Sequence, residues 1–294
     1  MSATNLPARP APGPPLRRPV LLAAFEGWND AGDGASGALD HLEQAWDARR
    51  VAALDSDEYY VYTDTRPMVQ LVDGLTRSIS WPTTSVSVCS PPGTDRDVVL
   101  VRGVEPNVRW QRYCSELVEI AEQLGVEMVV TLGALLADSP HTRPVPVSGT
   151  ASDATTAAEL GLDSSRYEGP TGIIGVLQDA CGRSGLTAVS FWAAVPHYVS
   201  APPCPKATLA LLHRVEDLLD IPVPLGDLPE LARSWERQVD ELAAEDSDVA
   251  EYVASLEQRE PEEDLPEASG DAIAKEFERY LRRRDDGPRG GTTG

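Results

Sequence analysis

The amino-acid sequence predicts an α/β fold: a three-layer sandwich with a mostly parallel central sheet, followed by a C-terminal helical appendage. Short apolar runs alternate with segments of helical periodicity between residues 20 and 225. A hydrophobic content of 41% in 294 residues is enough for one large core. We therefore expect a flexible N-terminal segment (1–19), an α/β core domain (20–225), an acidic helical appendage (226–284) and a disordered tail (285–294).

The first strand is predicted at Val20 to Phe25, where six apolar residues follow one another. Such a continuous run is typical of a strand that is buried on both faces of a parallel sheet. Further runs of strand length predict five more strands, at Val51–Leu54, Val86–Cys89, Val98–Val101, Met128–Leu132 and Val189–Ala193.

Three helices are predicted between these strands from apolar residues at helical spacing. The first is Ser36 to Trp46, directly after a glycine-rich turn. The second is Val108 to Leu124, for which Asn107 is the expected N-cap. The third is Lys206 to Leu219, and Pro205 suits its first turn.

The composition becomes acidic in the appendage, where residues 227–267 hold fifteen acidic and three basic residues. A helical stripe persists there, formed by Leu231, Trp235, Val239 and Leu242. A second stripe follows at residues 249–256, so we predict a helical hairpin that packs on the main domain or on a neighbouring subunit. We interpret Glu257–Ser269 as a linker and Asp271–Arg284 as a last helix.

The charge and the cysteines limit the possible partners and cofactors. A formal net charge of −22 argues against a nucleic-acid partner, because binding to phosphates needs a basic surface. The apolar runs are too short to span a membrane, so we expect a cytoplasmic protein. The sequence has no metal-binding motif, and we expect no metal and no cofactor. The four cysteines are widely spaced and are expected to be buried, reduced thiols: Cys89, Cys114, Cys181 and Cys204.

Polar residues follow several predicted strands, at the sheet edge where α/β proteins place their ligand crevices. Glu26, Asn29 and Asp30 come after the first strand. Arg102 and Glu105 come after the strand that ends at Val101. The segment DSPHTR adds an imidazole and a guanidinium after another strand. The candidate pocket therefore comprises Glu26, Asn29, Asp30, Arg102, His141 and Arg143.

Each of these patterns also has an alternative interpretation. Gly32, Gly34 and Gly37 satisfy G-x-G-x-x-G, but six residues separate the strand from the first glycine, and nearby carboxylates disfavour a pyrophosphate. The small residues can instead let a helix pack closely on the sheet.

Two other patterns also have simpler explanations. An ion pair between Arg102 and Glu26 would explain the presence of both charged residues at the strand ends without a ligand. A Ser-His hydrolase at DSPHTR is disfavoured, because catalytic triads are assembled from distant segments.

Several blocks resemble the proteasome assembly chaperone 2 family. They are EGWNDAGDGASGAL, LVRGVEPNVRW, GALLADSPHTRPVPVSGTASD, YEGPTGIIGVL and FWAAVPHYV, in this order over roughly residues 20–225. The resemblance implies a phosphorylase- or hydrolase-like sandwich, similar to purine nucleoside phosphorylases. Archaeal and eukaryotic members help to assemble proteasomes, some through a C-terminal hydrophobic–Tyr–any-residue tail. This chain ends in GGTTG and its nearest tyrosine, Tyr280, lies within a predicted helix, so that tail is not expected here.

The expected function is protein–protein interaction by a homo-oligomeric scaffold or assembly factor with a proteasome-related partner. Fold alone does not transfer function, and no convincing catalytic set is present in the sequence. The alternative is a nucleoside- or phosphate-type small-molecule binding protein or a hydrolase that uses the crevice at the strand ends.

Overall fold

The computed structural model describes residues 6–259 except for residues 12, 73, 75, 165, 166 and 200. The predicted helix Asp271–Arg284, Tyr280 within it, the tail 285–294 and most of the linker lie outside the described residues. The ranges given above for the four parts of the chain stay predictions.

The described residues form ten strands and eight helices. The strands are β1 (Val20–Glu26), β2 (Arg49–Ala53), β3 (Met68–Val72), β4 (Thr76–Ser80), β5 (Thr84–Cys89), β6 (Val98–Val104), β7 (Met128–Ala137), β8 (Val147–Ala151), β9 (Asp163–Ser164) and β10 (Thr187–Pro196). The helices are α1 (Gly34–Ala45), α2 (Ser56–Tyr59), α3 (Trp110–Gln123), α4 (Ala154–Leu160), α5 (Ile173–Ser184), α6 (Pro205–Leu219), α7 (Leu228–Glu245) and α8 (Ser247–Gln258). A 3-10 turn, Ala31–Asp33, precedes α1.

Eight strands form one mixed sheet in the order β2-β5-β6-β1-β7-β10-β8-β9. The four central strands, β6, β1, β7 and β10, are parallel to one another. Antiparallel pairing joins β2 to β5, β5 to β6 and β8 to β10. Strands β3 and β4 form a separate two-stranded sheet. The predicted α/β fold with a mostly parallel sheet is therefore confirmed.

Two hydrophobic layers cover the two faces of this sheet. Alternate residues of β1 serve each layer, with Leu22 on one face and Leu21 and Phe25 on the other. Helices α1 and α6 pack over the first face, and α3 and α5 pack over the second. This arrangement explains why the first six residues of β1, Val20 to Phe25, are all apolar, and it confirms the three-layer sandwich.

Helix α3 begins two residues later than predicted. The side chain of Asn107 does not cap it. Its Oδ1 instead accepts hydrogen bonds from the Val61 N–H at 2.9 Å and the Thr65 hydroxyl at 3.1 Å. The residue before the helix is Arg109, whose φ of 60° is left-handed. The predicted N-cap is therefore wrong, because Asn107 holds the loop after α2.

The helical hairpin predicted in the appendage is present as α7 and α8. Trp235 and Val239 are buried in the layer that contains α6. Leu231 and Leu242, however, are 48% and 61% exposed, so the inward stripe differs from the predicted one. Smaller residues, Ala232 among them, take the buried positions of α7. No helix in the described ranges is long and apolar enough to cross a membrane.

The N-terminal segment makes specific contacts where the structure describes it. The Pro7 carbonyl accepts a hydrogen bond from the Ala53 N–H at 3.1 Å. The guanidinium of Arg17 lies 2.6 Å from the buried carboxylate of Asp97. These contacts attach Pro7 to the edge strand β2 and Arg17 to the residue before β6, and the flexibility expected of residues 1–19 stays a prediction.

Candidate functional site

The loop after β1 is folded around the carboxylate of Asp30. Asp30 is 5% exposed, and its Oδ1 accepts hydrogen bonds from the N–H groups of Ala35 at 2.7 Å and Ser36 at 3.2 Å. These N–H groups belong to the first turn of α1 and have no partner within the helix. Asp30 also forms a single parallel bridge with Ala134 of β7. Its side chain therefore caps α1, while its backbone fixes the loop to the sheet.

The glycines of this loop have a packing role. Gly32 has a φ of +61°, and a Cβ atom there would lie 2.8 Å from the Cβ of Cys204. A Cβ on Gly34 would lie 3.1 Å from the Cβ of Ala207. Both neighbours lie at the start of α6. The geometry thus supports the interpretation that small residues allow the turn and α1 to pack closely on their neighbours.

Burial raises the pKa of Asp30 to about 6, against the opposing effect of the hydrogen bonds from Ser36 and Ala35. Nearby Asp33 raises it slightly further. An ionised carboxylate at a helix N-terminus is also favoured by the helix dipole. A pKa of about 6 is in the range where a general acid or base would work. The carboxylate oxygens of Asp30, however, are already bonded to the N–H groups of α1.

The buried Asn29 and the partly buried Glu105 form a second group. Asn29 is 1% exposed and donates from Nδ2 to Glu105 Oε1 at 2.8 Å. The same oxygen accepts the N–H of Ile173, the first residue of α5, at 2.9 Å. Burial raises the pKa of Glu105, and these two hydrogen bonds lower it. The carboxylate therefore links the ends of β1 and β6 to the start of α5.

Arg102 and Glu26 form an ion pair, as one interpretation of the sequence predicted. Arg102 Nη1 lies 3.3 Å from Glu26 Oε1, and Nε lies 2.9 Å from Asp40 Oδ1 and 3.8 Å from Glu43 Oε2. The Nε–H does not point directly at the Asp40 oxygen, so the contact is electrostatic. Burial raises the pKa of Glu26 and of Asp40, and Arg102 opposes both shifts. One cation here faces three carboxylates.

His141 and Arg143 belong to a different contact, between the core and the appendage. His141 is 2% exposed; its Nδ1 lies 2.7 Å from the Tyr198 hydroxyl, and its Nε2 lies 3.0 Å from Asp240 Oδ1 in α7. Arg143 donates to the carbonyl of Arg259 at 3.0 Å and to the carbonyl of Glu257. Both side chains therefore hold the helical hairpin.

Lys206 reinforces this contact between the core and the appendage. Its ammonium group lies 2.6 Å from Glu236 Oε2 in α7 and donates to the His141 carbonyl. Tyr198 also stacks edge-on against Tyr252 of α8, with ring centroids 6.0 Å apart. Sequence reasoning missed Lys206 and Tyr198, since their partners lie 30 to 65 residues away in the chain and no local pattern marks them.

The six candidate residues thus separate into distinct groups. Asn29 and Asp30 are buried and bond to Glu105 and to the start of α1, Glu26 and Arg102 form an ion pair at the sheet edge, and His141 and Arg143 contact the appendage. Whether the sheet edge binds a ligand stays a prediction. Among the described residues, no cluster of three or more His, Cys, Asp or Glu side chains is arranged to hold a metal ion.

The fold and these loops define a class of α/β proteins with a capped glycine turn at the end of β1. The sequence model of the PAC2 family matches residues 24–243. The chain belongs to the PAC2 family, which confirms the resemblance described above. No curated protein sequence matches this chain.

Two solved structures are similar in sequence as well as in fold. A PAC2 family protein from Streptomyces avermitilis is 58% identical, with a TM-score of 0.75; the match covers 80% of this chain and 99% of that one. A proteasome-assembly chaperone homologue from Mycobacterium tuberculosis is also 58% identical, with a TM-score of 0.73 and the same coverage.

A more distant structure shares the fold alone. The archaeal proteasome activator PbaB of Pyrococcus furiosus is 15% identical, with a TM-score of 0.64, over 79% of this chain and 96% of that one.

Proposed function

We propose that this chain acts through protein–protein contact in the cytoplasm, as a self-associating assembly factor or scaffold whose partner is a proteasome-related protein. Membership of the PAC2 family supports this function. The relative from Mycobacterium tuberculosis is described as a proteasome-assembly chaperone homologue, and PbaB as a proteasome activator.

The observation that carries the proposal is the burial of the polar groups at the strand ends. Asn29 and Asp30 are 1% and 5% exposed, and their side chains bond to Glu105 and to the first turn of α1. A side chain that binds or activates a substrate has to reach it from within hydrogen-bond distance. These side chains instead satisfy buried N–H groups and the partly buried carboxylate of Glu105, which would cost free energy if left unpaired.

The charge at the sheet edge also favours a scaffold over a phosphate-binding site. Arg102 is the cation that pairs with Glu26, and it is already shared with Asp40 and Glu43. A phosphate bound there would lie beside three carboxylates and one guanidinium. Like charges in a partly buried site repel strongly, so an anionic ligand would be disfavoured.

The proposal is tested by mixing the purified full-length chain with purified proteasome core subunits from the same cells and recording native mass spectra. The expected result is a complex of fixed stoichiometry with free subunits or with an assembly intermediate. A mixture in which the chain stays separate from free subunits, intermediates and assembled core particles at tens of micromolar would contradict it. The matched control is an unrelated protein of similar size and acidity, because simple charge attraction would capture both.

The alternative function, binding of a nucleoside- or phosphate-type small molecule, would rest on the partly open Arg102, whose side chain is 24% exposed. It predicts that such a ligand raises the melting temperature. A panel of nucleosides, nucleotides and sugar phosphates should leave the melting temperature unchanged if the scaffold proposal is correct. A specific rise that Arg102→Gln abolishes would favour the small-molecule function instead.

A further inference from the structure

Strands β3 and β4 form a hairpin that pairs with neither edge of the main sheet. In this hairpin Val69 lies opposite Ile79, and Leu71 lies opposite Arg77. Residues directly opposite each other in an antiparallel pair share one face. Trp81 follows Ile79 by two positions, which continues the same face beyond the end of β4. We call Val69, Leu71, Ile79 and Trp81 the apolar hairpin face; Arg77, opposite Leu71, lies on the same face.

The apolar hairpin face is uncovered. Val69, Leu71, Ile79 and Trp81 are 57%, 63%, 52% and 50% exposed. Met68, on the opposite face, is 63% exposed, so the hairpin projects from the body of the molecule. The ring of Trp81 packs edge-on against Tyr62 at its base, with centroids 4.8 Å apart. Isolated two-stranded hairpins are marginally stable in water, and this one would gain stability if its apolar face were covered.

We propose that the apolar hairpin face packs against the same face of a second copy of this chain. This inference rests on the self-association in the proposed function and assigns a surface to it. The exposed apolar side chains amount to roughly 500 Å² per copy, at the upper end of patches seen on monomers. Two such faces in contact bury about 1,000 Å², which is the lower limit for a specific interface and is typical of a weak, concentration-dependent one.

The distribution of charge also favours a second copy as the occupant. The chain carries a net charge of −22, so two copies repel each other over most of their surfaces. Residues 68–81 contain one acidic residue, Asp73, and one basic residue, Arg77, and their net charge is zero. Strands of five residues extend about 17 Å, which lets two hairpins meet while the acidic bodies stay apart.

The test compares the mass in solution of the full-length chain and of hairpin variants by sedimentation velocity from about 1 to 100 µM. The variant Val69→Thr/Leu71→Gln/Ile79→Thr keeps residues that suit an exposed strand and removes the apolar face. The matched control is Leu231→Gln/Leu242→Gln, which replaces exposed leucines of α7. We expect the wild-type chain and the control to associate, and the hairpin variant to need at least a hundredfold higher concentration to do so.

The three possible outcomes of the sedimentation experiment separate the inference from the proposed function. If the hairpin variant keeps the wild-type mass, the inference is wrong, while self-association through another surface still stands. If the wild-type chain is a monomer at every concentration, both the inference and the proposed self-association are wrong. If association depends on the hairpin but no proteasome subunit is bound, the inference stands and the proposed partner is wrong.

Cross-linking tests the same contact in a chain that keeps the apolar face, so that misfolding of the triple variant cannot be mistaken for loss of the contact. The four native cysteines are buried, so Val69→Cys adds an accessible thiol to an otherwise native chain. A short bis-maleimide should join two such chains covalently, and Leu242→Cys under the same conditions should stay uncross-linked. Equal cross-linking of both variants would overturn the inference. The melting temperature of the hairpin variant should stay within a few degrees of the wild-type value, since the replaced residues lie outside both core layers.

Discussion

The imidazole Nε2 of His141 lies 3.0 Å from the Asp240 carboxylate, which joins the loop after β7 to helix α7. The ring is almost fully buried. Its other nitrogen contacts the hydroxyl of Tyr198, so both polar atoms of the ring have partners. The appendage is therefore attached to the core by a specific contact between a buried imidazole and a half-exposed carboxylate, as well as by apolar packing.

Replacing this imidazole should loosen the appendage while leaving the sheet intact. His141→Ala removes the two hydrogen bonds of the ring, to Asp240 and to the Tyr198 hydroxyl, each of which contributes about 1 kcal/mol. We expect faster hydrogen exchange in α7 and α8, measured peptide by peptide by mass spectrometry, and unchanged exchange in β1 and β7. His213→Ala, at an exposed position of α6, is the control. Equal acceleration in both variants would show that His141 does not hold the appendage.

The carboxyl group of Asp30 should make stability depend on pH. Its pKa is raised from 3.8 to about 6 by burial, so the folded protein binds this proton more tightly than the unfolded chain does. Stability from this group is therefore full below about pH 4 and is lost as the pH rises to about 6 and beyond. The loss amounts to about 3 kcal/mol.

Urea unfolding between pH 4 and pH 7 measures this effect as the difference between wild type and Asp30→Asn. Asparagine cannot ionise, so the variant should lack the part of the slope that Asp30 contributes. Asp217→Asn, at an exposed position of α6, should keep the wild-type slope. Parallel stability curves for wild type and Asp30→Asn would contradict the buried, titrating carboxylate.

A methyl group at Gly32 should be poorly tolerated. The left-handed φ of +61° disfavours alanine, and the new Cβ would lie 2.8 Å from the Cβ of Cys204. We expect Gly32→Ala to lower the free energy of unfolding by about 2 kcal/mol or more. Gly182→Ala is the matched control, because that glycine lies in helix α5 with no atom within 4 Å of the added Cβ. The control should be neutral or stabilising, and equal losses in both would contradict the close packing of the turn.

The four cysteines should be unreactive while the protein is folded. All four are buried and free, and burial raises the pKa of Cys89, Cys114 and Cys181 to about 12. A thiol reacts as its thiolate, so both access and ionisation are unfavourable. Titration with a thiol reagent should detect almost none at pH 8 and four after denaturation. Fast reaction of one cysteine in the folded protein would identify an open site that the structure does not contain.

The sequence predicted the central strands well because their apolar runs are continuous and local. Residues 20–25 and 98–101 are strands in the structure, with extensions at their ends. The hairpin of β3 and β4 was not predicted, because its apolar and polar residues do not alternate clearly. Strand β8 was also missed, since it is only partly buried and contains Gly149.

The candidate site was harder to predict because its roles depend on partners far along the chain. Arg102 and Glu26 come together, as strands that share an edge of the sheet suggested. The carboxylate of Asp30 turned inward to cap α1, which only the path of the glycine turn decides. The partner of His141, Asp240, lies 99 residues away in a helix whose position the sequence does not reveal.

The most direct test of the account is native mass spectrometry of the protein purified gently from its own cells. It reports the number of subunits, bound proteins and retained small molecules in one spectrum. The account predicts a homo-oligomer, part of which carries a proteasome-related protein at fixed stoichiometry. A chain that carries a discrete small-molecule mass and no protein partner would contradict it and direct attention to the sheet edge at Arg102 and Glu26.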